Sequence, residues 1–114
     1  MEISELEEQL LNSFKYLGSR LEVLKTLSKA FADAKRKHRI ALAKKTTELK
    51  LNGESVTIIP DKAKGDVHVA DSEFARIVAE GEYKACMMEI GATRDKMSAL
   101  QSLISTRKAE MQLL

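Results

Sequence analysis

The chain has 114 residues with a formal net charge of +2, and only 4% of its side chains are aromatic while 32% are charged. This length allows one domain, and the scarcity of glycine, proline and large rings argues against a sandwich or barrel rich in turns. No apolar run approaches the ~20 residues of a membrane span, residues 1–8 lack the pattern of a secretion signal, and the single Cys86 can form no internal disulfide. The composition therefore predicts a cytoplasmic, all-α protein.

The first predicted element is a long amphipathic helix over residues 2–51. From Ile3 to Leu51, apolar residues recur every three or four positions and no proline interrupts them. At about 1.5 Å per residue such a helix reaches about 74 Å. Its apolar stripe occupies three positions of a seven-residue repeat, which is wider than the seam of a two-stranded coiled coil and suits packing against two neighbours.

The connector, residues 52–71, has a different pattern. Asn52 and Gly53 form a helix stop signal. Residues 54–59 are rich in β-branched side chains, Pro60 forbids a helix through it, and residues 66–70 alternate with a period of two. This pattern predicts a short β-hairpin with strands near 55–59 and 66–70, and an irregular loop is the alternative because an isolated hairpin is marginally stable.

A second long helix is predicted over residues 72–113. Asp71 and Ser72 form an N-cap signal, and Ile90, Met97 and Ile104 lie seven residues apart, which matches the repeat of the first helix. Two long helices with a short connector predict an antiparallel, coiled-coil-like hairpin that forms a single domain over residues 1–114.

Self-association is predicted because two helices alone cannot enclose so wide a stripe. A second copy would complete the cover, as a dimer or a higher helical bundle. The residues expected at this oligomer interface share the apolar stripe of either helix: Leu10, Leu17, Leu21, Leu24, Phe31, Ile90, Met97, Leu100 and Ile104.

A basic run in the second half of the first helix is the strongest local feature. Residues 35–51 contain seven Lys or Arg residues and one Glu. Consecutive helical residues fan around the axis, so the run predicts a positive collar that contacts the phosphates of DNA or RNA, or an acidic protein partner. The alternative is a solvated face that forms salt bridges. The candidate binding residues are Lys35, Arg36, Lys37, Arg39, Lys44 and Lys45.

No pattern of catalytic or metal-binding residues is present. The sequence contains no phosphate-binding glycine loop, nucleophile elbow or His-Glu zinc motif. Neither His38 nor His68 has a cysteine or carboxylate at the spacing of metal ligands. We therefore expect a protein without enzymatic activity, metal or cofactor, which binds neither a small-molecule substrate nor a membrane.

The second helix carries a family resemblance. Its Glu82-Tyr83-Lys84-Ala85 element, its Leu- and Ser-rich turns at residues 100–105, and its closing Arg107, Glu110 and Met111 resemble a type of small phage- or prophage-encoded protein that forms a long helical hairpin. The resemblance implies a gene of the phage early region, near genes of recombination or single-strand annealing, and hence the cytoplasm of a bacterial host. No catalytic residue carries over.

Three functional hypotheses follow. The first is a phage-type accessory protein of DNA recombination or replication, which binds protein and nucleic acid without catalysis. The second is an inhibitor of a host defence or nuclease system. The third is a chaperone, because the order of helix, hairpin and helix is similar to a prefoldin subunit, although residues 54–70 lack the aromatic and glycine expected in its strands.

Overall fold

The computed structural model describes residues 1–114 and is entirely helical. Helix α1 is Ile3–Leu51, α2 is Ile59–Gly65 and α3 is Val67–Gln112. The predicted all-α class and the two long helices are confirmed. Neither long helix contains a stretch apolar enough to span a bilayer.

The chain divides into two compact units, and each long helix contributes to both. Unit 1 consists of residues 1–25 and 84–114, and unit 2 of residues 26–83. In unit 1, Glu7 pairs with Lys108 at 3.7 Å and Arg20 pairs with Glu89 at 3.4 Å. Residue numbers rise along α1 as they fall along α3, so the two helices are antiparallel there, as expected for a helical hairpin.

Unit 1 has a small apolar core at its terminal end. Leu6 is 1% exposed and packs with Leu100 and Ile104, while Leu10 lies against this cluster. Farther along the same pair of helices, Ser13, Cys86, Ile90 and Thr93 are also buried. Together with half-buried Met97, the buried positions of α3 in this unit lie three or four residues apart, which is the spacing of a narrow coiled-coil seam.

Unit 2 also pairs α1 with α3 in an antiparallel arrangement. The ring centroids of Phe31 and Tyr83 lie 5.7 Å apart, and Lys45 pairs with Asp66 at 3.5 Å. The core of unit 2 at the end of α1 is the cluster of Leu49, Ile59 and Ala63, with Leu42 packed against it. Ile59 and Ala63 are four residues apart, so the helical backbone of α2 places both on the face toward this core.

The predicted β-hairpin over residues 55–59 and 66–70 is wrong, because the connector contains a helix and no strand. Gly53, with φ at +80°, ends α1: its N–H bonds to the carbonyl of Lys50, and the N–H of Glu54 bonds to that of Leu49. Pro60 lies in the first turn of α2, where its missing N–H has no helical partner to lose.

The predicted cap at Asp71 and Ser72 is also wrong, because α3 begins five residues earlier than expected. The carboxylate of Asp66 accepts hydrogen bonds from the backbone N–H groups of His68 at 3.1 Å and Val69 at 3.2 Å. The backbone N–H of Asp66 donates to Ala63, the last bond of α2. One residue therefore ends α2 and caps α3.

Candidate functional site

The side of α1 that faces α3 in unit 2 is defined by three contacts one heptad apart. Phe31 stacks beside Tyr83, Nδ1 of His38 lies 3.1 Å from Oγ of Ser72, and Lys45 pairs with Asp66. In a coiled coil, the residues one, four and five positions after each such contact lie on one flank of the helix, and those two, three and six positions after it lie on the other.

These positions separate the charges of α1 sharply. On the first flank, between residues 28 and 50, there are five cations and no carboxylate. We call this flank the basic face, and it comprises Lys29, Lys35, Arg36, Arg39 and Lys50. On the opposite flank Lys37 and Lys44 are accompanied by the carboxylates Asp33 and Glu48. The predicted collar is thus a one-sided face of positive charge.

Ion pairs neutralise only part of the predicted set of six cations. Arg36 and Lys37 share one carboxylate, that of Asp33, at 2.8 and 2.9 Å. Lys35, Arg39 and Lys44 are exposed and form no ion pair, although the ammonium of Lys35 lies 5.4 Å from the centre of the Phe31 ring. Salt bridges therefore involve only part of this surface, and the other cations are exposed to solvent.

The two cations that share the carboxylate of Asp33 lower its pKa. Hydrogen bonds from Arg36 and then from Lys37 hold the pKa of Asp33 below its ordinary value. Asp33 therefore keeps its negative charge even in mildly acidic solution, and it can offset only one of the two positive charges beside it.

Lys45, the sixth predicted cation, belongs to the contact between the two helices. Partial burial disfavours its charged form, but hydrogen bonds and charge attraction from Glu48 and Asp66 outweigh this and raise the pKa of Lys45. In turn, the N–H of Val69 and then the charge of Lys45 hold the pKa of Asp66 below its ordinary value. Lys45 thus has a structural role in unit 2.

Two grooves accompany these charges. One of about 310 Å³ runs along the basic face, and its lining residues are Ala32, Lys35, Arg36, Arg39 and Ile40. The other, of about 410 Å³, lies over the Lys45–Asp66 contact and combines cations with Glu48 and Asp66. Because the first contains no carboxylate, it is the better site for an anion.

The sequence pattern missed Lys29 and Lys50 as members of the basic face. Both are exposed and form no ion pair, and they lie one heptad before and two heptads after Arg36. Extending the heptad of Leu24, Phe31 and His38 would have identified them. The run of adjacent basic residues predicts only a local cluster, whereas the row extends one heptad before it and ends at Lys50.

Most of the residues predicted for an oligomer interface lie between α1 and α3 of a single chain. In unit 1, Ile90, Leu100 and Ile104 are buried and Leu10, Leu17, Leu24 and Met97 are half-buried, whereas Leu21 is exposed. In unit 2, Phe31 is half-buried against Tyr83. Contact of these residues with a second copy of the chain stays a prediction.

Unit 1 contains a polar cluster that links α1 and α3. The hydroxyl of Tyr16 donates to Oε2 of Glu89 at 2.8 Å, and Arg20 reaches the same oxygen at 3.4 Å. The hydrogen bond to Glu89 raises the pKa of Tyr16. The Nε atom of Arg20 is buried without a hydrogen-bond partner. In the sequence, Arg20 is recognisable only as an interruption of the apolar stripe.

Other reactive residue types are dispersed. The structure contains no group of three or more His, Cys, Asp or Glu residues arranged to hold a metal ion. Cys86 is buried, and its thiol lies 3.5 Å from the carbonyl oxygen of Arg20. His68 is exposed at the start of α3.

Comparison of the chain with protein-family models, curated proteins and solved structures finds no match.

Proposed function

We propose that this chain is a non-catalytic binding protein, and that the basic half of α1 in unit 2 contacts the phosphates of nucleic acid. The observation that carries this proposal is the excess of cations over carboxylates: Lys35, Arg39 and Lys44 have no ion pair, and Arg36 and Lys37 share Asp33. Phosphate contacts require only positive charge at suitable spacing, without base-specific geometry. A role in phage recombination or replication rests on the sequence resemblance.

The direct test is titration of fluorescent oligonucleotides with the full chain at several salt concentrations. We expect binding that weakens steeply with salt, because cations on the protein displace counterions from the phosphates. Charge reversal of Arg36, Lys37 and Arg39 should abolish it. The absence of binding at low salt refutes the proposal. If polyglutamate binds the chain as tightly as the oligonucleotides do and displaces them, the acidic protein partner is favoured instead.

A second candidate function is chaperone-like capture of unfolded protein at the turn of unit 2. It is supported by large apolar side chains at the end of α1 and in the segment before α2: Leu51 and Val56 are 83% and 82% exposed, and Ile58 is also exposed. Exposed apolar clusters commonly mark surfaces that bind other proteins. The chain should then suppress aggregation of unrelated heat-denatured proteins, and Leu51→Ser/Val56→Ser should remove this activity. Met88→Ser/Leu103→Ser, at exposed positions of unit 1, is the control.

Self-association of the chain is a further part of the proposal. Glu7 pairs with Lys108 in unit 1, and the exposed Phe14 and Leu21 share the heptad position of Glu7 while the exposed Met87 shares that of Lys108. An apolar patch is complementary to the same patch on another copy, which suits a two-fold symmetric dimer. Sedimentation equilibrium should give a mass above 12.7 kDa, and Phe14→Ser/Leu21→Ser should return it to that of a monomer. A monomeric wild-type chain contradicts self-association.

A further inference from the structure

Beyond contact with nucleic acid in general, we infer that the basic face binds double-helical nucleic acid along its phosphodiester backbone. This inference rests on the proposed function and assigns it a surface and a substrate class. The surface is the flank of Lys29, Lys35, Arg36, Arg39 and Lys50, and not the opposite flank of α1.

The first argument is the distribution of charge around unit 2. Between residues 29 and 50, α1 carries eight cations and two carboxylates, and both carboxylates lie off the basic face. Between residues 66 and 83 the charge is reversed, with five carboxylates and one cation, Arg76. Arg76 is moreover paired with Glu80 at 3.1 Å. A polyanion is therefore attracted to the α1 side of unit 2 and repelled from the α3 side.

The second argument is the alignment of the cations along one side of the helix. Lys29, Arg36 and Lys50 occupy the same heptad position, so they lie about 10 Å and then about 21 Å apart along the helix. The row is about 32 Å long, close to the ~34 Å of one duplex turn. Lys35 and Arg39 widen the row on one side, where the 310 Å³ groove between them is free of carboxylates. A stiff row of charges matches a stiff duplex, which presents a phosphate charge about every 1.7 Å along its axis.

The third argument distinguishes a duplex from a single strand. Proteins that bind single strands combine a basic groove with exposed aromatic rings on which successive bases stack. The basic face has no aromatic residue, and the nearest ring on α1, that of Phe31, is half-buried between Lys35 and Tyr83. Without such rings the surface can engage the backbone but cannot hold unstacked bases.

The test compares two double variants with the same loss of charge. Lys35→Gln/Arg39→Gln removes two cations from the basic face, and Lys64→Gln/Arg94→Gln removes one lysine and one arginine from outside α1. All four side chains are exposed and without an ion pair, so both variants should fold, which circular dichroism checks. If the first variant fails to fold, Lys29→Gln/Lys50→Gln replaces it on the same face.

The probes are a 30-base-pair DNA duplex, an RNA duplex of equal length and a single strand of each. We expect the wild-type chain to prefer a duplex, with a log–log salt slope of about −4.5 if all five cations contact phosphates. The basic-face variant should bind on the order of tenfold more weakly and lose about two units of slope, whereas the control variant should match the wild type. The duplex that binds more tightly identifies the nucleic acid, and either result supports the inference.

Each contrary outcome is distinct. Equal weakening by both variants overturns the basic face, while binding of nucleic acid by the chain still stands. Equal or tighter binding of single strands overturns the duplex as substrate. No binding of any probe at low salt refutes the proposed function itself. Salt-sensitive self-association of the wild type that is lost in the basic-face variant, measured by light scattering without nucleic acid, would assign this face to the acidic side of a second copy and overturn the inference.

Discussion

The two units use charged side chains in opposite ways. In unit 1, Arg20 and Tyr16 of α1 converge on Glu89 of α3, so these polar groups face one another across the pair of helices. In unit 2, Lys35 and Arg39 are exposed and find no carboxylate. Polar groups that pair across two helices fix their register, whereas exposed cations without a carboxylate contribute little to the stability of the chain. Unit 2 also contains one structural ion pair, between Lys45 and Asp66, but its unpaired cations form the candidate binding surface.

The largest effects on stability are expected in the apolar cores, which stabilise both units whatever the role of their charged side chains. Leu6→Ala removes a side chain that packs with Leu100 and Ile104, and should lower the free energy of unfolding by about 2–4 kcal/mol. Leu49→Ala should cause a comparable loss in unit 2. Urea unfolding followed by circular dichroism measures both. Leu11→Ala, at an exposed position, should change little, and an equally small effect of Leu6→Ala would contradict the assigned core.

Removal of the shared acceptor in unit 1 tests whether its polar cluster stabilises the helix pair. Glu89→Ala leaves Arg20 partly buried without its carboxylate, so we expect a loss of about 1–2 kcal/mol, against little change for Asp95→Ala, which is exposed and unpaired. The pKa of Tyr16 should also fall back toward 10.0, because the hydrogen bond to Glu89 raises it. Absorbance of tyrosinate in a Tyr83→Phe background measures this shift. An unchanged titration would show that the bond does not persist in solution.

Since the raised pKa of Tyr16 reflects preference for its neutral form in the folded chain, its contribution to stability is complete below pH 10.0 and is lost as the pH rises through the folded value. The difference in stability between wild type and Glu89→Ala should therefore narrow in strongly alkaline solution, to the part contributed by the ion pair with Arg20. A constant difference across that range would place the stabilising effect of Glu89 elsewhere.

Unit 2 contains an N-cap at Asp66, the residue at which α2 ends and α3 begins. Asp66→Ala removes the acceptor for the N–H groups of His68 and Val69 and should lower stability by about 1 kcal/mol. Asp71→Ala is the matched control, because Asp71 is exposed inside α3 and caps nothing. Urea unfolding should separate the two. If Asp71→Ala were the more harmful change, α3 would begin where the sequence pattern placed it.

The same cap predicts an acid dependence of the opposite sign to that of Tyr16. The pKa of Asp66 is held below the ordinary 3.8, chiefly by the N–H of Val69. Its contribution is therefore complete above about pH 4 and disappears as the pH falls through the lowered folded value. The difference in stability between wild type and Asp66→Ala should persist at neutral pH and vanish in strong acid. A difference that survives there would exclude the carboxylate as its cause.

The long helices were predictable because their heptads continue for many turns. The sequence pattern predicts α1 at residues 2–51, and the structure has it at Ile3–Leu51. Ser13 and Arg20, which interrupt the apolar stripe, still occupy the face toward α3, since Ser13 is buried and Arg20 reaches Glu89. A repeat of this length specifies the face even where single residues violate it.

The start of α3 was not predicted, because a short alternation resembles a strand. Val67 and Val69 straddle His68 with a period of two, yet only Val69 is buried. The heptad of Ile104, Met97 and Ile90, followed backward through Tyr83 and Arg76, reaches Val69 in register and would have extended the helix to it. Arg76 conceals this continuity, because a charged residue at a core position resembles a break in the pattern.

The positions of individual cations could not be predicted from charge alone. The sequence specifies that Lys45 is basic, but its pairing with Asp66 depends on where α2 turns the chain back. The sequence pattern assigns Asp66 itself to a strand. Of the ion pairs of the six candidate cations, only Lys45–Asp66 therefore required the tertiary structure, because the others join residues three or four apart on α1.

The smallest effects expected come from two glycines, one in each unit, and they have opposite signs. Gly18 lies inside α1 with nothing within 4 Å of the position that an added Cβ would occupy, so Gly18→Ala should stabilise unit 1 by about 0.5–1 kcal/mol through helix propensity. Gly53 also has open space, but its φ of +80° is strained for any other side chain, and Gly53→Ala should destabilise unit 2 by about 1 kcal/mol. Thermal unfolding measures both. If Gly18→Ala were destabilising, the open flank of α1 would be covered in solution, and the self-association proposed for unit 1 would gain its first direct support.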